Sequence, residues 1–307
     1  MKKCCLRTLI ALLIVVVIIA AGIIVLLNLT PAQLHVDGIS LGGNTLADYG
    51  LSDVKIIKII KGARSLNKKE SDVVKNGYDQ EQEKSAVAAL FANSNLSDAE
   101  NYAELLNQNA VFSQRYVRVL NDTTLAYVLD SALRETYPSF AVREVTITKQ
   151  TADDGSSIGH LRLVAGVDTA AYIPSSVKDT MAKVRIKLPT YIYVVFDADF
   201  SVFASGENQG KMLFANMDAS VGGDKDNVLN DVLIHFIAKT AGISTSEDGD
   251  KAAFSRAIFD KASACINHIG AIGNANASAD GVVAGSITYG MVGVDDHKVR
   301  LITYTTH

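Results

Sequence analysis

Tyr191-Ile-Tyr-Val-Val-Phe-Asp-Ala-Asp-Phe-Ser-Val-Phe203 is the stretch on which the fold turns. Its period is two. Ile192, Val194, Phe196, Ala198, Phe200 and Val202 share one face of a strand, and Tyr191, Tyr193, Val195, Asp197, Asp199, Ser201 and Phe203 share the other. One face is wholly apolar and demands a core; the other is mixed. Ser205-Gly-Glu-Asn-Gln-Gly210 follows as a turn and returns the chain into residues 212–221, an antiparallel hairpin. Upstream, residues 142–148 alternate, with Val145 and Ile147 on one face. Residues 160–167 read as the return strand across the loop Asp153-Asp-Gly-Ser-Ser. A linker through Pro174 and Ser175 and a strand at 184–188, interrupted by Pro189, separate these hairpins. A last hairpin pairs 282–289 with 298–304.

Helices flank these strands. Asp122 caps one whose stripe is Leu125, Val128, Leu129, Ala132 and Leu133, and Pro138 ends it. Ser97-Asp-Ala-Glu100 is a capping box opening a helix to about Gln108. Asp226 caps another, with Val228, Leu229, Val232, Leu233 and Phe236 on one face and Gly242 as its stop. The next carries Phe254, Ala257, Ile258, Ala262, Cys265, Ile266 and Ile269 and stops at Gly270. Helices interrupting meandering strands imply an α+β ectodomain, a curved antiparallel sheet with helices packed on it.

The N-terminus sets where that domain sits. An uncharged run begins at Thr8 and ends at Leu29, 22 residues that as a helix cross ~30 Å of hydrocarbon. Lys2, Lys3 and Arg7 precede it and no basic residue follows until Lys55, so the N-terminus stays cytoplasmic and the remainder is extracytoplasmic, a single-pass plasma-membrane topology. The run is too long for a secretory h-region, and Ala20-Ala21-Gly22 is followed by further apolar residues, so it reads as an uncleaved anchor. Cys4 and Cys5 on its cytoplasmic side read as free thiols. The organisation is then 1–29 head and anchor, 30–52 juxtamembrane linker, 53–117 a mainly helical segment, and 118–307 the α+β domain.

Three of the 29 basic residues precede the span, leaving 26 against 33 acidic ones. That excess argues against nucleic acid or anionic lipid as a partner held by bulk charge, and leaves room for a local basic patch. Cys265 is the one cysteine beyond the span, so no disulfide closes within the ectodomain, and the absence of Trp argues against carbohydrate-stacking platforms. Residues 54–61, Val-Lys-Ile-Ile-Lys-Ile-Ile-Lys, gather Lys55, Lys58 and Lys61 opposite Ile56, Ile57, Ile59 and Ile60. The preferred reading is an amphipathic helix packed on the domain; the alternative is a helix lying on the outer membrane surface. Residues 62–81 are charge-dense and read as a solvated turn and helix start.

No chemical signature outweighs its ordinary explanation. Asp197 and Asp199, ~6–7 Å apart on one strand face, form a carboxylate pair suited to a hard cation or to acid–base work. Acids on the wet face of an antiparallel sheet need no such role. Asp224, Asp226 and Asp231 lack the calcium-loop order, because Val228 and Leu229 interrupt it. Ser65-x-x-Lys68 and Ser175-x-x-Lys178 match a serine–lysine spacing but lack its companion triplet. His35, His160, His235, His268, His297 and His307 include no zinc pair at helical spacing and read as surface or satisfied histidines; Asp231 and His235 read as surface electrostatics. Cys265 reads as a buried small hydrophobe. No cofactor or metal is expected, and the chain reads as non-enzymatic.

The stretches Leu120-Asn-Asp-Thr-Thr-Leu-Ala-Tyr-Val-Leu, Gly159-His-Leu-Arg-Leu-Val-Ala-Gly-Val-Asp168, Leu188-Pro-Thr-Tyr-Ile-Tyr and Met217-Asp-Ala-Ser-Val-Gly-Gly223, in this order behind an N-terminal span, resemble the YpmS-type anchored envelope proteins of Gram-positive bacteria. The likeness spans about residues 118–305; residues 53–117 and the helix at 251–269 have no counterpart in it. It implies an apolar groove between a curved sheet and a long helix, a hydrophobic ligand or an envelope protein as partner besides the bilayer, and no catalytic residues. Tyr191, Tyr193, Val195 and Phe203 are the residues on which such a ligand would lie; Asp197 and Asp199 interrupt the same face. The competing roles are an anchored interaction scaffold and, more distantly, a hydrolase working through Asp197 and Asp199.

Overall fold

The computed structural model describes residues 27–30, 32–33, 40–41, 44–45, 47–92, 112–151, 157–169, 189–202, 212–240, 243, 250–279 and 287–306. These comprise β1 (Ser40–Leu41), β2 (Asn44–Thr45), α1 (Ile56–Arg64), a 3-10 turn (Ser65–Asn67), α2 (Glu70–Val73) and α3 (Gln80–Ala92). Then come β3 (Phe112–Asn121), α4 (Asp122–Thr136), β4 (Phe140–Thr151), β5 (Ser157–Asp168), β6 (Tyr191–Val202) and β7 (Met212–Val221). The chain continues with α5 (Asn230–Thr240), α6 (Asp250–Ala279), β8 (Ile287–Asp295) and β9 (Lys298–Thr306). The fold is α+β. Strands β4-β5-β6-β7 form an antiparallel meander, β3-β9-β8 a second antiparallel sheet, and β1-β2 a small hairpin.

Period-two patterning fixes the four-stranded sheet. Val145 lies opposite Leu163, which lies opposite Phe196, which lies opposite Ala219, so one face is apolar across all four strands. Helices α4, α5 and α6 bury that face. Leu125, Leu129 and Leu133 come from α4, Ile234 and Ile237 from α5, and Phe254, Ile258, Phe259 and Ile266 from α6. Phe196 lies at the centre, its ring 5.1 Å from that of Phe254 and 6.5 Å from that of Phe259 in edge-on packing, each such pair adding ~0.5–1.5 kcal/mol beyond area burial.

Several elements depart from the sequence reading. The cap of α4 is Asn121, whose Oδ1 accepts the Thr124 amide at 2.8 Å. Asp122, relieved of capping, instead accepts the Ile147 amide of β4 at 2.8 Å and pairs with His297 Nδ1 at 2.7 Å. Helix α5 begins at Asn230, not after Asp226: Asn227 and Asn230 hold successive turns there, and Asp226 is exposed. Helix α6 runs through Gly270 to Ala279, since an isolated glycine costs a helix only ~1 kcal/mol. The last hairpin is Ile287–Asp295 with Lys298–Thr306, joined at Asp296 and His297, with a bulge between Met291 and Gly293. Strand β3 crosses the 117/118 boundary. Residues 30–52 are not merely a linker: Leu51 is buried and Tyr49 sits edge-on to His235 at 5.6 Å. His235 is accordingly buried, not a surface residue.

The anchor, apart from its last residues, and the readings at 97–108, 174–175, 184–188 and 205–210 lie outside the described residues. Among those described, no helix is long and apolar enough to cross a membrane.

Candidate outer-face site

The mixed face of β6 turns away from the helices, and neighbouring strands supply its companions through register. His160 pairs with Asp199 and Arg162 with Asp197 across β5–β6; Glu144 lies opposite Val164 on β4–β5. The two carboxylates expected from the sequence do come together, with an imidazole between them. His160 Nδ1 is 2.9 Å from Asp199 Oδ1 and Nε2 is 3.3 Å from Asp197 Oδ1. Lys225 Nζ reaches Asp197 Oδ2 at 3.0 Å. Asn216, at φ 51° in a bulge of β7, donates Nδ2–H to Asp199 Oδ2 at 2.9 Å. Burial acts to raise the Asp199 pKa, but the bonds from Asn216 and His160 and the charges of His160 and Lys225 leave it below the ordinary value.

This arrangement braces strands. Both ring nitrogens of His160 face carboxylates, which takes up its hydrogen-bonding capacity. Neither nitrogen is directed at a hydroxyl or thiol, as activation of a nucleophile requires. Among the described residues no group of three or more His, Cys, Asp or Glu side chains is disposed to hold a metal ion.

Beside this cluster the chain crosses its own sheet. Residues 65–76, read from sequence as solvated, form a strap over the outer face. Val73 is 3 % exposed and packs with Val164, Tyr193 and Val195, with Val74 and Tyr191 at the margin. Glu144, its side chain 1 % exposed, holds the strap: it accepts the amides of Lys75 and, at 3.0 Å, Asn76. Its other oxygen takes Arg162 Nη1 at 2.7 Å and Thr146 Oγ1 at 3.1 Å, while Arg162 Nη2 donates to the Val73 carbonyl at 3.0 Å. Tyr193 donates its hydroxyl to Glu70 at 3.1 Å, and burial with the Glu70 charge pushes that phenol up to about 12. Arg143 lies over the Tyr191 ring at 4.9 Å.

The expected ligand surface is therefore occupied. Tyr193 and Val195 lie beneath Val73, Tyr191 is half-buried, and Phe203 is outside the described residues. Glu144, Arg162, Lys225 and Asn216 were not singled out from the sequence, and His160 was read there only as a surface or satisfied histidine. Glu144, Arg162 and His160 carry the parity of Asp197 and Asp199 once the β4–β5–β6 register is set, and that was the available signal. Cys265 is half-buried, and burial pushes its thiol up to about 11. Ser65 is buried, its carbonyl accepting the Lys68 amide. No protein-family model, no curated protein and no solved structure matches this chain, so its function is argued from these residues alone.

Proposed function

We propose that this chain is a membrane-tethered, non-enzymatic extracytoplasmic module whose partner in the envelope is a protein. One observation carries the reading against lipid carriage: the mixed face of β6, where an apolar ligand would lie, is filled by Val73 and clamped by Glu144 and Arg162. A ligand there must first displace the chain's own strap. The Asp197–His160–Asp199 cluster supports the same reading, because its donors and acceptors are spent on one another and on Lys225 and Asn216. The uncharged run ending at Leu29 supplies the tether and the basic head its orientation. The test is photolabelling of the full chain, in bilayers carrying a diazirine fatty acid, followed by peptide mapping. Label confined to the span and residues adjoining it supports the proposal. Label on Tyr191, Tyr193 or Val195 restores the lipid groove and overturns it.

A further inference from the structure

Helix α1 is amphipathic, and the domain covers its apolar face only in part. Of its nine residues only Gly62 is buried; Ile56, Ile57 and Ile59 are partly exposed, and Ile60 is 38 % exposed. The helix docks through that glycine: its carbonyl accepts Asn227 Nδ2 at 3.1 Å, and a Cβ there would run into the Asn227 side chain. At 3.6 residues per turn, Ile56, Ile57 and Ile60 project to the side away from Gly62, while Lys55 and Lys58 lie toward it and Lys61 on the flank.

A second observation says what that side meets. The Ile56 amide donates to the Leu29 carbonyl at 3.0 Å, and the Ala32 amide to the Ser52 carbonyl at 2.9 Å. Leu29 is the last residue of the uncharged run. Thr30 and Gln33 close a reciprocal turn directly after it, the Thr30 amide donating to Gln33 Oε1 at 2.7 Å and the Gln33 amide to Thr30 Oγ1 at 3.3 Å. Helix α1 therefore starts within one hydrogen bond of the point where the span ends. It carries no acidic residue, and Lys55, Lys58, Lys61 and Arg64 give it a strong positive charge within an acidic ectodomain.

We infer that α1 is a membrane-surface helix that docks on anionic phospholipid. The isoleucines enter the boundary between headgroups and acyl chains, while Lys61 on the flank and Arg64, on the same side as Ile57 and Ile60, reach lipid phosphates. This inference rests on the tethered reading and deepens it: the span holds the protein in the bilayer, and α1 sets the pose of the domain above it. Each lysine or arginine near an anionic surface favours the docked state by about fivefold.

The chain contains no tryptophan, so Ile60→Trp places a single fluorescent reporter on the open side of α1. The full-length variant is reconstituted into nanodiscs of phosphatidylcholine, with and without an equal part of phosphatidylglycerol, and the indole is quenched by brominated lipid and by aqueous iodide. The expected result is bromolipid quenching and iodide protection in the anionic discs. Adding Lys61→Gln and Arg64→Gln then lowers the docked-to-free ratio about 25-fold, with the protein still co-eluting with the discs. An indole fully open to iodide in discs that retain the protein overturns the surface helix and leaves the tether standing. A protein that does not enter discs at all overturns both.

Discussion

Glu144→Ala should release the strap. Its carboxylate satisfies four donors, the amides of Lys75 and Asn76, the Arg162 guanidinium and the Thr146 hydroxyl, from a side chain 1 % exposed. Removing one partner of a buried pair costs about 3–5 kcal/mol, mostly because the other partner is stranded. Arg162 is 26 % exposed and can rehydrate, which places the loss near the lower end, about 3 kcal/mol. Because the strap then rests on the packing of Val73, the Arg162 bond to its carbonyl and the contacts of Tyr193 and Arg143 with Glu70, much of that loss should appear as local opening. Amide exchange across residues 65–76 should then quicken by on the order of a hundredfold, while β5 and β6 exchange slowly. Glu144→Gln, which keeps a single neutral acceptor, should fall between. Hydrogen exchange of the full chain in micelles, with a denaturation midpoint alongside, reads both effects. Unchanged exchange at Lys75 and Asn76 in Glu144→Ala would refute the clamp.

Two further outcomes follow from the same geometry. The turn at Asp296 and His297 covers the free edge of β4: His297 donates its amide to the Ile147 carbonyl at 2.9 Å, and Lys149 donates its amide to Asp296 at 2.8 Å. The bond from Asp122 and its charge, with Asp296 adding, raise the His297 pKa. The latch is thus fully stabilising below about pH 6.5, the unfolded value, and is lost as pH rises through the raised folded value. His297→Asn, which tolerates the φ of 68°, should lower Tm at acidic pH and match the parent at alkaline pH; a pH-independent deficit would discard the latch. Gly159→Ala places a Cβ inside the ring of Phe200, its cross-strand neighbour, and should cost about 1–3 kcal/mol in denaturant titrations, partly recovered by Phe200→Leu; a neutral Gly159→Ala would refute the tight packing there.

The four-stranded sheet was legible because its residues obey period two and its two outer pairs, β4–β5 and β6–β7, are hairpins. From Val145 to Ala219 the apolar face reads directly off the chain. The α4 stripe was legible for the same reason. The strap was not, because its fixing partners are backbone groups: Lys75, Asn76 and Val73 are held through amides and a carbonyl, which carry no side-chain pattern. Asp122 and Asp226 read as caps, but asparagines at 121 and 227 take the amides of Thr124 and Leu229 instead. Asp197 and Asp199 were found by their spacing. His160 became visible as their partner only through register, since strands β5 and β6 are separated by more than 20 residues of sequence. The open side of α1 was hidden for a different reason. Amphipathic periodicity states that a face is apolar and not whether protein or lipid covers it.

Protease added to intact cells reads the placement of the domain beyond the bilayer. Fragments from the α+β domain should disappear before the cells are lysed, leaving only the head and span protected. A domain that survives intact until lysis would contradict that placement.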